Sequence, residues 1–170
     1  MGSVRNAKVN KGIGRMQGSQ IKTKARVREH GEVYTNEREV KAMCDLIPQE
    51  VWDNIESTFL EPTCGNGNFL VEIFARKLER CKNERDGLKA LASIVGLDIL
   101  DDNITESRNR LKDIYLSKYP NANGTCLVLL DTILLNNFRC CDSLEQMQQW
   151  IDENANEIIN ENTEEENGTK

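Results

Sequence analysis

Along the middle of the chain, apolar positions alternate between helical spacing and short continuous runs, and both patterns fade at the two ends. Residues 36–47 read as a helix, with Asn36 able to cap, Glu37 and Glu39 in the first turn, and Val40, Met43, Cys44 and Ile47 on one face. Pro48 stops that helix, and a short helix over 49–56 turns Val51, Trp52 and Ile55 inward. A first strand over 57–61 runs into a turn containing Pro62, Gly65 and Gly67. The helix that follows, over 67–82, has Phe69, Leu70, Ile73, Phe74, Ala75 and Leu78 as its apolar side. The run 92–98 is a second strand ending in Asp98, and the next helix, over 102–118, faces inward with Ile104, Leu111, Ile114 and Tyr115. After a turn from Pro120 to Gly124, residues 125–135 suit buried helix or strand, and their length favours helix. Residues 137–141 form a third strand. Ser143 then caps a last helix toward 159, with Leu144, Met147, Ile151 and Ile158 as its apolar positions.

Strand–helix alternation of this kind predicts an α/β fold, a three-layer α/β/α arrangement around a mostly parallel sheet. In such sheets ligands bind beyond the carboxyl ends of the strands. Glu61, Asp98 and Asp142 each stand at the predicted carboxyl end of a strand, so three acids are expected on one edge of the sheet.

The segment from Phe59 to Leu70 (Phe-Leu-Glu-Pro-Thr-Cys-Gly-Asn-Gly-Asn-Phe-Leu) carries the candidate chemistry. Glycines let a backbone pass close to a ligand, and the helix behind them offers unpaired N–H groups. The acid at the head of the turn disfavours a phosphate and suits an amine-bearing ligand, such as the amino acid end of S-adenosylmethionine. A lone glycine pair also occurs in ordinary strand–turn–helix connections. Asp98, ending the second strand, can accept both hydroxyls of a ribose, and Ile99 can lie against an adenine ring. The plainer reading of Asp98 is an acid capping the next helix.

Charge divides the chain. Residues 1–30 carry eight Lys or Arg against the single acid Glu29, and residues 143–170 carry eight acids against Lys170. We therefore expect a basic, disordered arm over 1–30, a folded domain over 31–150, and an acidic helix end and disordered tail over 151–170. The net charge of −6 does not mark a nucleic-acid-binding protein, although the arm could touch a phosphate backbone. Its alternative is a solvated tail, since no aromatic is interleaved with the charges. The six cysteines (Cys44, Cys64, Cys81, Cys126, Cys140, Cys141) lack metal-site spacing, and His30 is the only histidine. No metal site is expected. With no signal peptide and no apolar run of membrane length, the chain reads as a reduced cytoplasmic protein that does not enter a membrane.

Four ordered motifs now support a resemblance. Gly31 to Asn36 (Gly-Glu-Val-Tyr-Thr-Asn), Leu60 to Leu70, Val95 to Ile99 (Val-Gly-Leu-Asp-Ile) and, more loosely, Phe138 to Leu144 resemble the amino-terminal half of the S-adenosylmethionine-dependent N6-adenine DNA methyltransferases. The likeness is to the modification subunits of restriction–modification systems. It covers roughly residues 26–145 and implies a truncated, Rossmann-like methyltransferase fold. By this resemblance Tyr34 and Thr35 pack on the cofactor, and Glu61, Pro62, Gly65, Gly67, Asn68 and Phe69 hold its methionine moiety. Asp98 holds the ribose and Asp142 lies near the adenine, while DNA is the implied partner.

The chain also departs from that family. Members carry proline at the place of Asn36, and a catalytic Pro-Pro-aromatic motif after the third strand; the three prolines here, Pro48, Pro62 and Pro120, are nowhere adjacent. No catalytic residue is assigned, and enzymatic activity is left open. The resemblance also implies a fourth strand beside the first. Without it the first strand is an apolar edge, to be covered by the last helix, by self-association or by a second polypeptide. Two functions follow as expectations: an incomplete or split methyltransferase that binds S-adenosylmethionine and needs a partner for catalysis, or a non-catalytic protein that assembles on or interferes with a restriction–modification complex. A methyltransferase with a different substrate is a third, which no residue marks.

Overall fold

The computed structural model describes residues 21–154. The end of the last expected helix, with Ile158, the tail expected beyond it and most of the expected arm lie outside them. The chain divides into two compact units, Met1–Val33 and Tyr34–Lys170. In the first, Thr23 caps a helix that the composition did not indicate, α1 (Lys24–His30), and Gly31 closes it at φ 64°. There Arg26 Nη2 donates to Glu32 Oε1 at 2.7 Å.

The second unit is the α/β domain. Its sheet has three parallel strands, β1 (Phe59–Glu61), β2 (Ile94–Asp98) and β3 (Phe138–Cys140), in the order β1-β2-β3. The described residues thus contain an α/β fold with a small parallel sheet and a helical majority. Helices α2 (Glu37–Cys44) and α3 (Gln49–Asp53) precede the sheet. The first crossover holds α4 (Asn68–Arg80) and α5 (Glu84–Ala92), and the second holds α6 (Asp101–Lys118) and α7 (Gly124–Asn137). Both crossovers move across the sheet in the same direction, and right-handed connections then place their helices on one face. A further helix, α8, is described over residues 143–154.

Register fixes the two faces. Phe59 pairs with Ile94 and Gly96 with Phe138, so these side chains share one face, while Leu60, Val95, Leu97 and Arg139 share the other. On the first face Leu70, Phe74, Ile94, Ile104, Leu111, Tyr115, Leu130 and Phe138 are fully buried. Gly96 lies where a Cβ would stand 2.7 Å from the Leu70 side chain and 2.9 Å from that of Phe138, so α4 rests almost directly on the backbone of β2. On the second face, the Trp150 ring of α8 stacks 5.4 Å from the Arg139 guanidinium and borders a groove of about 280 Å³ with Thr58, Leu60 and Val95.

Several expectations need correction. Met43 is half exposed, because α2 ends at Cys44 and turns only Val40 and Cys44 fully inward. Leu144 and Ile151 are 73% and 61% exposed, whereas the expected Met147 is half-buried; Trp150 is the α8 residue that meets the sheet, at Arg139. Asp142, rather than Ser143, caps α8, its Oδ1 accepting from Leu144 N at 2.9 Å. Helix α5 was not anticipated; Asn83 caps it and Leu88, Ala90 and Leu91 bury its inner side, while Gly87 masks the pattern. Residues 125–135 are helical, within α7.

Two polar devices hold the elements together. The guanidinium of Arg108 on α6 donates to the carbonyls of Leu134 (3.1 Å), Leu135 (3.3 Å) and Phe138 (3.0 Å), where α7 passes into β3 without an intervening residue. Lys77 of α4 is fully buried, and its Nζ donates to Ile55 O at 3.0 Å, to Ser57 O and to Ser93 Oγ. It thereby ties together the chain entering β1 and the chain entering β2.

Burial pushes the Lys77 ammonium down from 10.5 to about 8. The unfolded chain therefore holds this proton through a window, from about 8 to 10.5, in which the folded chain has released it. The contribution of Lys77 to stability is expected to be lowest below pH 8 and to grow as pH rises to 10.5. Urea denaturation of wild type and Lys77→Met across that range checks this. The wild type should gain on the variant with rising pH; parallel curves would refute the assignment.

Candidate functional site

The carboxyl end of β1 leads through Pro62 and Thr63 into the glycine turn, and the turn leads into α4. Gly65 (φ 53°) and Gly67 (φ 87°) both occupy the left-handed region, which a side chain enters at a cost. Each glycine also meets a neighbour. A Cβ on Gly65 would stand 3.2 Å from the Tyr34 ring, and one on Gly67 would stand 2.7 Å from Ser107 Oγ. The turn is thus pressed between the Tyr34 ring and α6.

Asp98 anchors the turn from beneath. Its Oδ2 accepts from Gly65 N at 2.8 Å, and its Oδ1 accepts from Leu100 N at 2.9 Å and from Asn103 Nδ2 at 3.2 Å. The buried Tyr34 hydroxyl donates to the same amide, Asn103 Oδ1, at 3.0 Å. A carboxylate offers about four lone-pair directions. Three are taken, so in this conformation Asp98 can accept one further hydroxyl, where the sequence suggested two. The residue is 9% exposed, at the end of β2.

Glu61 is a different kind of acid. Burial pushes its carboxyl above the usual carboxylate range, and the Thr63 N–H works against that shift. A half-buried acid beside a turn of backbone amides suits a ligand ammonium, which would restore the charge balance that burial disturbs. In the turn itself, Cys64 has its thiol pushed up to about 12, by burial first and the Asp98 charge second, so it stays protonated and unreactive.

The remaining candidates are placed as follows. Asn68 Nδ2 donates to Thr35 O at 2.7 Å, which ties the Tyr34–Thr35 segment to the turn. Phe69 is half-buried against the core. Ile99 is 58% exposed beyond β2, and Cys140 Sγ donates to its carbonyl at 3.4 Å. Pro62 lies in the turn between Glu61 and Thr63. Asp142 sits two positions past β3 and is engaged in capping α8. Tyr34, Thr35, Glu61, Gly65, Gly67, Asn68 and Asp98 therefore belong to one neighbourhood, with Ile99 adjoining it through Asp98.

Sequence reading missed the support on α6. Asn103, Glu106, Ser107 and Arg110 recur at helical spacing on one side of that helix. Ser107 Oγ donates to Gly65 O at 3.1 Å, and Asn66 Nδ2 donates to Glu106 Oε1 at 3.2 Å. Arg110 Nη1 donates to Asn66 O at 2.6 Å and to Asn68 Oδ1 at 2.9 Å. The available signal was the spacing of uncharged Asn103 and Ser107 beside apolar Ile104 and Leu111, which both polar residues follow into the interior. Among the described residues no group of His, Cys, Asp and Glu is placed to hold a metal ion, and no helix is long and apolar enough to cross a membrane.

Chemically, this edge of the sheet places two acids at the carboxyl ends of adjacent parallel strands, while the amides of Cys64, Gly65 and Gly67, expected from the sequence to be unpaired, bond within the fold to Leu97 O, Asp98 Oδ2 and Cys64 O. Over 86 residues the chain is 33% identical to the Type II methyltransferase M.VspI of Vibrio sp. (strain 343), a match taking in 51% of this chain. The chain spans 18% of the length of that relative. The likeness supports a methyltransferase relationship. No family model matches the chain, and no solved structure matches it.

Proposed function

We propose that this chain binds S-adenosylmethionine as the cofactor-holding part of an N6-adenine DNA methyltransferase, Rossmann-like in fold and of restriction–modification type, with the catalytic loop supplied by residues other than those described. The observation that carries this reading is the placement of Glu61 and Asp98 at the carboxyl ends of the adjacent strands β1 and β2, beside a glycine turn packed under the Tyr34 ring. The donor set fits the cofactor. Glu61 would hold its ammonium, Asp98 would accept one ribose hydroxyl on its open lone pair, and the exposed Ile99 side chain would offer an apolar surface to the adenine. Once bound, S-adenosylmethionine supplies an electrophilic methyl group. The chain's own residues bind and orient it; DNA and a second polypeptide are the partners this reading requires.

Titration calorimetry with S-adenosylmethionine tests the proposal, and a folded sample that binds none at millimolar ligand would falsify it. Glu61→Gln separates the ligand's need from the fold's. Because the folded pKa of Glu61 is raised, its contribution to stability is present below pH 4.5 and lost as pH rises through the folded value. The Gln variant is therefore expected to be at least as stable as wild type at neutral pH, yet to bind the cofactor more weakly. A non-catalytic protein that assembles on a restriction–modification complex is the second reading. It is favoured by the half-exposed Leu60 on edge strand β1 and by the engagement of Asp98 within the fold. Absence of cofactor binding, with capture of a modification subunit, would select it.

A further inference from the structure

We infer that Arg110 is a positioning residue for the cofactor, acting through the glycine turn rather than on the ligand; the inference rests on the S-adenosylmethionine reading. Two segments make up most of the candidate site, Tyr34–Thr35 and Gly65–Asn68. They are far apart in sequence, and each is short and irregular. Arg110 joins them from the middle of α6.

Its Nη1 donates to Asn66 O at 2.6 Å and to Asn68 Oδ1 at 2.9 Å. The other end of the Asn68 amide donates to Thr35 O at 2.7 Å. One guanidinium nitrogen thus fixes which way the Asn68 amide points, and with it the only side-chain bond described from the turn to Thr35. Because the Asn68 carbonyl oxygen faces a cation, its NH2 must face Thr35, and the amide has no equivalent flipped state.

The same contacts orient the turn's peptide planes. Ser107 draws the Gly65 carbonyl toward α6, and Arg110 draws the Asn66 carbonyl the same way. All peptide bonds here are trans, so each N–H points opposite to the carbonyl before it. The Asn66 N–H is therefore directed away from α6, and the Gly67 N–H is directed to Cys64 O at 2.9 Å. Without Arg110 the Asn66–Gly67 peptide, next to a residue with φ 87°, loses one of the two contacts that hold its orientation and keeps only the Gly67 N–H bond to Cys64 O.

The test uses Arg110→Met, which keeps the aliphatic bulk without donors, and Arg110→Lys, which keeps a cationic donor on the same stem. Lys112→Met, on an α6 residue that pairs with Asp131, serves as control. Calorimetry with S-adenosylmethionine is expected to show about tenfold weaker binding for Arg110→Met, the scale of a lost charge-assisted hydrogen bond. Most of that affinity should return in Arg110→Lys, and Lys112→Met should match wild type. Amide hydrogen exchange without ligand should speed up at Gly65 and Gly67 in Arg110→Met, with core amides of β2 unchanged. Equal affinity in wild type and Arg110→Met, with only the melting temperature lowered, would mean a structural role alone and overturn the inference. Failure of wild type to bind would defeat the cofactor reading instead. In that case unchanged exchange at Gly65 and Gly67 would overturn the positioning role as well.

Discussion

Asp98→Ala is expected to lower the unfolding free energy by about 3 kcal/mol, because three donors lose their shared acceptor at once. Gly65 N and Asn103 Nδ2 face the interior, and Leu100 N opens helix α6, so water replaces the carboxylate poorly. Asp98→Asn is informative beside it. The amide can present only one oxygen, so its NH2 must face either the Gly65 N–H or the Leu100 N–H and Asn103 pair. Retention of most stability in the alanine variant, measured by urea denaturation, would show that the anchor matters less than its three bonds suggest. Under the cofactor reading both variants also lose S-adenosylmethionine binding, the alanine variant by disordering the turn and the asparagine variant while still folded.

Gly67→Ala is expected to cost a similar amount, for a different reason. The backbone there sits at φ 87°, and a methyl group would stand 2.7 Å from Ser107 Oγ, 3.0 Å from its Cβ and 3.2 Å from its Cα. Left-handed backbone costs about 1–2 kcal/mol for a residue with a Cβ, and overpacking adds about 1–3 kcal/mol. Removing the obstruction should recover part of the second share. In the double variant Gly67→Ala, Ser107→Gly the loss should be smaller than the sum of the two single losses. Strict additivity would mean that Ser107 does not confine the turn, and the packing of α6 on Gly67 would then not be the constraint.

These two positions also show how legibility is distributed. Gly65, Gly67 and Asp98 stood out because glycine spacing and an acid after an apolar run are local signals, and β1, β2 and β3 followed from the same runs. What α6 does with Asn103, Ser107 and Arg110 was not legible. Polar residues at helical spacing normally face water, and only the approach of the turn draws these inward. Asp98 was read as a ligand for ribose, with helix capping as the plainer alternative; its bonds from Leu100 N and Asn103 Nδ2 are local, and only the bond from Gly65 N depends on tertiary proximity. On α8, Leu144 and Ile151 were assigned to the core by their hydrophobicity alone. Trp150 is the residue that reaches the sheet, stacking on the Arg139 guanidinium and lining a groove with Leu60 and Val95. Helix α5 was hidden by Gly87, which packs tightly against Tyr115 and Tyr119 and for that reason suits its helix.

The direct passage from α7 into β3, fastened by Arg108, has a consequence for how this chain can change in length. A strand alternates faces with every residue. One residue inserted or deleted between Leu134 and Phe138 would send Phe138 to the face now held by Arg139, and Arg139 into the packed interior. No loop is available there to absorb the slip, because the carbonyls on both sides of the junction are held by one guanidinium. Among the described residues the turn over 119–123 is held to α5, where Asn123 donates to Glu84, and not to a strand, so length variation between the second and third strands is better borne there.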